Sequence, residues 1–267
     1  MSPTTTQSAD DTRGVALVEG EGGRYGLTLA RDDADVRAVQ RLRFAVFNLE
    51  LGEGLAESVA TGLDADEFDP ICDHLVVREQ ETGEVVGTYR LQSGTTAKHH
   101  LGYYSAREFD FSPYEAHRTE ILELGRACVA KAHRNPPVIS LLWKGIAAYA
   151  RQRRLRYLVG CSSLTSQDPA VGWAVFVHLA ASHLAPAAWR TCPLPGWRCR
   201  ALEPARVAPV PRLMAAYLAL GARVCAEPAL DPEFKTIDFL TWLDLNALAP
   251  AVRRKFLSDA PQRRTES

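Results

Sequence analysis

The sequence predicts an α+β fold, an α/β/α sandwich in which helices cover both faces of a mixed central sheet. Two short strand-like runs joined through Thr82-Gly83 read as an antiparallel hairpin. Later in the chain a strand, a helix-period stretch and another strand follow in direct succession, and hairpins first with such a unit second describe a mixed sheet. No Gly-rich dinucleotide or nucleotide-triphosphate fingerprint occurs, so those folds lose support.

Arg24 to Ala30 reads as a first strand, and Asp32-Asp33 as the cap of a helix running to about Glu50. Val36, Val39, Arg43, Val46 and Phe47 share one face of that helix, so Arg43 lies within its apolar stripe. A loop from Gly52 to Pro70 carries the acidic stretch Asp64-Ala65-Asp66-Glu67-Phe68-Asp69. The hairpin strands are His74 to Glu79 and Val85 to Gln92, with Arg90 inside the second. A variable connection leads to an apolar run, Ile121 to Ala130, that reads as a strand buried on both faces. After the turn Ala132 to Pro137 comes a helix whose stripe is Val138, Leu141, Leu142, Gly145, Ile146 and Tyr149, then a strand, Arg156 to Ser162. A helix from about Pro169 to Leu184, a loop to about Pro211, a helix Arg212 to Leu220, and strands Ala222 to Ala226 and Thr236 to Asp244 follow. A single domain spanning 24–257 is expected, with residues 1–23 and 258–267, rich in Ser, Thr, Asp, Gln and Arg, as disordered tails.

At 267 residues, 46% of them hydrophobic, the chain can bury a sizeable core. Its formal net charge of −1 argues against wholesale nucleic-acid binding, although arginines cluster in Arg151-Gln152-Arg153-Arg154-Leu155-Arg156. That run is either a solvated helix end or a local docking patch. The six cysteines form no CxxC pair and read as reduced core residues. No apolar stretch is long enough to span a bilayer, and the N-terminus lacks the pattern of a signal peptide. A cytoplasmic protein is expected, with contact at the inner face of the membrane left open. His99-His100 has no Cys or acidic ligand pattern nearby, so no metal site is expected there.

The chemistry concentrates in charges placed among apolar residues. Glu123 and Arg126 sit inside the Ile121 run, where charges need partners or a task. In a regular strand they point to opposite faces, but a bulge at Gly125 turns both to one side. The pair is then either structural or catalytic. Arg43, Arg90, Asp66 and Asp69 complete a set of three arginines facing three acids.

Taken in order, Arg43-x-x-Val46-Phe47, Asp66-x-x-Asp69, Gly87-x-x-Arg90-Leu91 and Glu123-x-x-Arg126 resemble the signature of the acyl-homoserine-lactone synthases, within the GCN5-related N-acyltransferase fold. Longer phrases are similar to a sister group, the bacterial ornithine N-acyltransferases and N-acyl amino acid synthases. They are Phe68-Asp69-x-x-Cys72-Asp73-His74-Leu75, Glu123-Leu124-Gly125-Arg126-x-Cys128-Val129, Leu141-Leu142-Trp143-x-Gly145-Ile146, and Gly221-Ala222 to Asp238-Phe239. The resemblance covers about Arg24 to Leu248.

It implies transfer of a fatty acyl group, often 3-hydroxylated, from acyl carrier protein to an amino acid's α-amine, most closely that of L-ornithine, giving lyso-ornithine lipid. Rival readings are another acceptor (glycine, lysine or an aromatic amino acid), a homoserine-lactone synthase, or a non-catalytic acyl-carrier-binding module. No permanently bound cofactor is implied, because the 4'-phosphopantetheine arm of the carrier brings the acyl group. Glu123 is then the candidate base for the substrate ammonium, Gly125 the source of backbone N–H groups for the oxyanion, and Arg126 the group holding Glu123, at the cost of lowering its pKa. Asp66 and Asp69 either receive ornithine's ammonium groups or anchor Arg43 and Arg90. His74 reads as a satisfied histidine before a proton relay. Arg134-Asn135-Pro136-Pro137 offers no Gly-rich loop for a coenzyme A pyrophosphate. Lys131, His133, Arg134, Arg151, Arg153 and Arg154 are expected to form one basic landing site for the acidic carrier protein.

Overall fold

A computed structural model of the chain describes residues 16–19, 23–199 and 209–257. The hairpin is present as β3 (Asp73–Glu79) and β4 (Val85–Ser93), and β2 (Tyr25–Leu29) pairs with β3 on its outer side. Beyond β2 lies β1 (Ala16–Glu19), a strand inside the segment expected to be a tail. Of the expected tails, residues 1–15, 20–22 and 258–267 fall outside the described residues. On the other side of the hairpin, β4 pairs with β5 (Ile121–Val129), which runs parallel to β6 (Tyr157–Leu164). β9 (Thr236–Asp244) pairs antiparallel with β6 and also with two short strands, β7 (Arg223–Val224) and β8 (Ala229–Asp231). The mixed nine-stranded sheet thus runs β1-β2-β3-β4-β5-β6-β9-β7, with β8 also on β9.

Helices cover both faces, as the patterning requires. α1 (Asp33–Phe44) is capped by the Asp32 side chain and lays Val39 and Leu42 on Val76, Val85 and Cys128. The helix expected to continue to Glu50 does so as a wider π turn, Ala45–Glu50. Short α2 (Ser58–Thr61) and α3 (Gly94–His99) lie in the two connections. On the opposite face α4 (Pro136–Gln152) sets Val138, Leu142 and Ile146 against Leu27, Leu75, Val77, Leu91, Leu122 and Leu158. Gly145 lets α4 come close, since a Cβ there would stand 2.4 Å from Leu27. α5 (Pro169–His183), α6 (Arg212–Leu220) and α7 (Pro250–Leu257) complete the chain; α7 was not expected from the sequence.

The connection from 93 to 120 carries no sequence periodicity, yet it is ordered by aromatics. Tyr103, Phe109, Phe111 and Tyr114 pack over Ile121, Val159, Leu240 and Trp242, on the sheet face shared with α1. This segment roofs the end of β5 where the charges lie. All six cysteines are free thiols, although Cys192 is exposed and not in the core. Among the described residues no helix is long and apolar enough to cross a membrane.

Candidate active site

The site begins with the irregularity in β5. Thr88 pairs with Cys128 and Arg90 with Gly125, so one residue of β4 faces two of β5, a bulge at Arg126 and Ala127. The left-handed backbone lies at Arg126 (φ 47°) and not at the glycine before it. As a result Arg126 turns to the face that carries Glu123. A Cβ on Gly125 would meet only Arg90 Nε, at 4.0 Å, so the glycine leaves open space between the two charges.

β5 and β6 also part here. Their parallel ladder runs from Ile121–Tyr157 to Glu123–Val159 and stops, although both strands continue. Leu124 to Ala127 are accordingly half-buried, while Glu123 at the fork is 4% exposed.

Glu123 is not paired with Arg126. Its Oε2 accepts the N–H of Tyr104 at 2.9 Å and its Oε1 that of Ser105 at 2.8 Å, which fastens the roof to the strand. Burial pushes the Glu123 carboxyl above its ordinary value, and it outweighs those hydrogen bonds and the charge of Arg90. The expected weakening of Glu123 by Arg126 therefore does not arise, because Arg126 is engaged elsewhere.

That engagement is a buried ionic network. Arg43, fully buried, donates to Asp64 Oδ1 at 2.7 Å, to the Asp64 carbonyl at 2.5 Å, and to Asp69 Oδ1 and Oδ2 at 2.9 and 3.0 Å. Arg90 donates to Asp66 Oδ1 at 2.5 Å and Asp69 Oδ1 at 3.1 Å. Arg126 donates to Asp66 Oδ2 at 2.9 Å and lies 3.3 Å from Asp64. Gln40 adds a bond to Asp69 Oδ2 at 2.8 Å. Three arginines do face three acids, but the third acid is Asp64 and not Glu123.

Asp69 thus accepts four hydrogen bonds and has no lone pair left for an ammonium, which decides for anchoring at that residue. Burial alone would raise its pKa, but Arg43 and Arg90 hold it well below the usual carboxylate range. Asp66 likewise serves Arg90, Arg126 and the Phe68 N–H. His74 donates Nε2–H to the Asp69 carbonyl at 3.0 Å, and burial lowers its pKa, so it stands neutral beneath the network. Tyr104 lies under Arg90, Arg107 and Arg126 as an aromatic floor.

Sequence reasoning missed Asp64, Gln40, Tyr104 and Ser105. Asp64 carries a signal in hindsight, two residues before Asp66 in the acidic run. Tyr104 and Ser105 contribute main-chain N–H groups, which leave no trace in side-chain identity.

The expected single landing site for a carrier protein is divided. Lys131 and Arg134 follow β5 at the open end of the fork, whereas Arg151, Arg153 and Arg154 follow the other end of α4, whose 17 residues separate the groups by ~25 Å. Arg134 is exposed and forms a two-pronged ion pair with Glu50, at 2.6 and 2.7 Å. Arg153 holds Asp73 at 3.3 Å. His133 is buried against the Tyr25 hydroxyl and belongs to the core.

Comparison with known proteins decides the family. An L-ornithine N(alpha)-acyltransferase of Rhodobacter capsulatus is 35% identical over 84% of this chain and 92% of its own. The chain belongs to that family. A second member, from Brucella abortus, is 34% identical over 89% of this chain and 90% of its own. The acetyltransferase (GNAT) domain model matches residues 42–144, the stretch from α1 through the bulge and into α4. The AHL synthase LasI, at 13% identity, shares the fold with a TM-score of 0.50 over 87% of this chain and 94% of its own. The protein is therefore an acyltransferase of GNAT fold, and the site above lies where its strands fork.

Proposed function

We propose that the chain moves a (3-hydroxy)fatty acyl group from acyl carrier protein to the α-amine of L-ornithine, giving a lyso-ornithine lipid. The observation that carries this reading is Glu123 at the fork of β5 and β6, buried, raised in pKa and held at both oxygens. The Tyr104 and Ser105 N–H groups and the Ser105 hydroxyl take three of a carboxylate's roughly four acceptor sites, which leaves one for a substrate N–H or a water. Glu123 takes a proton from the α-ammonium, and the freed amine attacks the thioester carbonyl. Main-chain N–H groups around the Gly125–Arg126 bulge stabilise the oxyanion, and the pantetheine thiol leaves as it regains a proton. Arg90 and Arg126, fixed by the three aspartates, add positive potential beside that oxygen.

The start of α4 supports a donor without a pyrophosphate. Pro136 and Pro137 have no N–H, the Val138 N–H is taken by the Asn135 side chain at 3.1 Å, and that of Ile139 by the Asn135 carbonyl at 3.3 Å. A helix end with no free donor is a poor anion site. Lys131 and Arg134 at the open end of the fork suit an acidic carrier protein better than the Arg151 to Arg154 group does. The protein works in the cytoplasm, and its product places it in peripheral contact with the membrane.

Expression in a bacterium lacking such lipids, followed by mass spectrometry of the lipid extract, tests the reading. A new N-acyl ornithine is expected, and appearance of a different N-acyl amino acid, or of none, overturns it. Consumption of S-adenosylmethionine by the purified protein would select the homoserine-lactone alternative.

A further inference from the structure

A second acidic group lies beside Glu123 and plays no part in the network of arginines. In register, Glu123 faces Val159, and Ser163 on β6 faces Asp238 on β9. Alternate and directly opposed residues share a sheet face, so Glu123, Cys161 and Asp238 all point under the same roof. From the roof comes Glu108, directly after the 3-10 turn Ser105–Arg107 that Glu123 holds. The carboxylates of Glu108 and Asp238 and the Cys161 thiol lie within 4.8 Å of one another.

Both acids are deeply buried, Glu108 to 1% exposure and Asp238 to 5%. Asp238 accepts the Thr236 hydroxyl at 3.1 Å and shares a proton-bridged contact with Glu108, whose Oε2 meets no donor of any other residue. Asp231, close by, is occupied with the Glu233 and Phe234 N–H groups of its own turn. Burial pushes Asp238 up to about 6 and lifts Glu108 well above its ordinary value, with the charges of Asp238 and Asp231 and the hydrogen bond between the two acids adding to the latter. Two buried acids facing each other must hold a proton between them or receive a cation in its place.

We propose that Glu108 and Asp238 form an anionic subsite for the side-chain ammonium of a diamino acid whose α-amine faces Glu123. The inference rests on the ornithine reading above and deepens it. An ammonium brings three donors, enough for Glu108 Oε2, an Asp238 oxygen and one neighbour. Ser105, bonded to Glu123, and Glu108 lie one 3-10 turn apart, which puts the two acidic groups on neighbouring turns within reach of one short diamino acid. Ornithine's two nitrogens are joined by five bonds of ~1.5 Å and lie about 6 Å apart when extended. Lysine is one bond longer. Cys161 is half-buried and Ser163 exposed, so the fork side of β6 gives the route in.

The test compares L-ornithine with L-norvaline, its isostere without the side-chain amine, in wild type and in the Glu108→Gln and Asp238→Asn variants. Wild type is expected to favour ornithine by roughly 10- to 100-fold in kcat/KM, the range of a charge-assisted bond. Each variant should lose most of that preference, read as a rise of the KM for ornithine toward that for norvaline. Preference retained in both variants overturns the subsite. Wild type inactive on every amino acid overturns the functional reading instead. In that case, or if neither variant folds, thermal shift decides the subsite. Stabilisation of wild type by 1,4-diaminobutane well beyond that by butylamine supports it, and equal shifts overturn it. A stoichiometric metal ion that wild type carries and Glu108→Gln lacks would also overturn it.

Discussion

Asp69→Asn keeps the shape of the side chain and removes its charge. Asp69 is 3% exposed and meets four donors, two from Arg43 and one each from Arg90 and Gln40. The asparagine amide turns one of its two acceptor atoms into a donor, which faces either the Arg43 and Gln40 N–H groups or those of Arg43 and Arg90. Arg43 is fully buried and cannot turn to water, so breaking this pair should cost ~3–5 kcal/mol. At ~2–4 °C per kcal/mol for a chain of this size, the melting temperature should fall by roughly 6–20 °C. Thermal unfolding followed by circular dichroism measures it. The sign of the pH dependence is fixed as well. The folded-state pKa of Asp69 is depressed, so its contribution is present above the unfolded value near ~4 and is lost as pH falls below it. The gap between wild type and variant should therefore close in acid. A melting temperature within about 2 °C of wild type, with a selective rise in KM for the amino acid, would refute anchoring and restore Asp69 as an acceptor ligand.

Glu123→Gln should lower kcat by ~10²–10⁴-fold. In wild type kcat/KM should rise with pH through the raised pKa of Glu123, and that rise should vanish in the variant; an unchanged pH profile removes Glu123 as the base. Gly160→Ala should destabilise the fold strongly, because its Cβ would stand 2.2 Å from the Leu124 carbonyl where the strands part; a folded, active variant would contradict the fork as described. Charge reversal at Lys131 and Arg134 should raise KM for the acyl carrier protein several-fold, whereas reversal at Arg153 and Arg154 should not, and the opposite ranking would move docking to the far end of α4.

The sheet was legible because its long strands are apolar runs with clear turns, and Arg43 stood out because a guanidinium on an apolar stripe must be answered. The partner of Arg126 was not legible. A positive φ at that residue redirects its side chain, and a strand pattern read with period 2 cannot show this. Residues 93 to 120 gave no periodic signal, since their order comes from aromatic packing on a sheet distant in sequence. β8 has three residues and takes its order from β9 on one side and from the segment around Arg198 on the other. Glu108 carried no mark in the sequence, for what distinguishes it is burial against a second acid 130 residues away.

The arginine–aspartate network also bears on how the chain assembles. Arg43 and Arg90 find partners at most 26 residues away, but Arg126 reaches back 60 residues to Asp66. Links of short separation close early and the longest closes last, because loop closure grows costlier with length. Until β5 docks, the unfinished centre of the sheet presents hydrated charges where an ordinary core would present grease, and it offers little for another chain to stick to. Once closed, the same centre resists local opening, since freeing β4 or β5 breaks two ion pairs together. Amide hydrogen exchange at Arg90 and Arg126 should accordingly track global unfolding, which sets Glu123 on the least yielding part of the molecule.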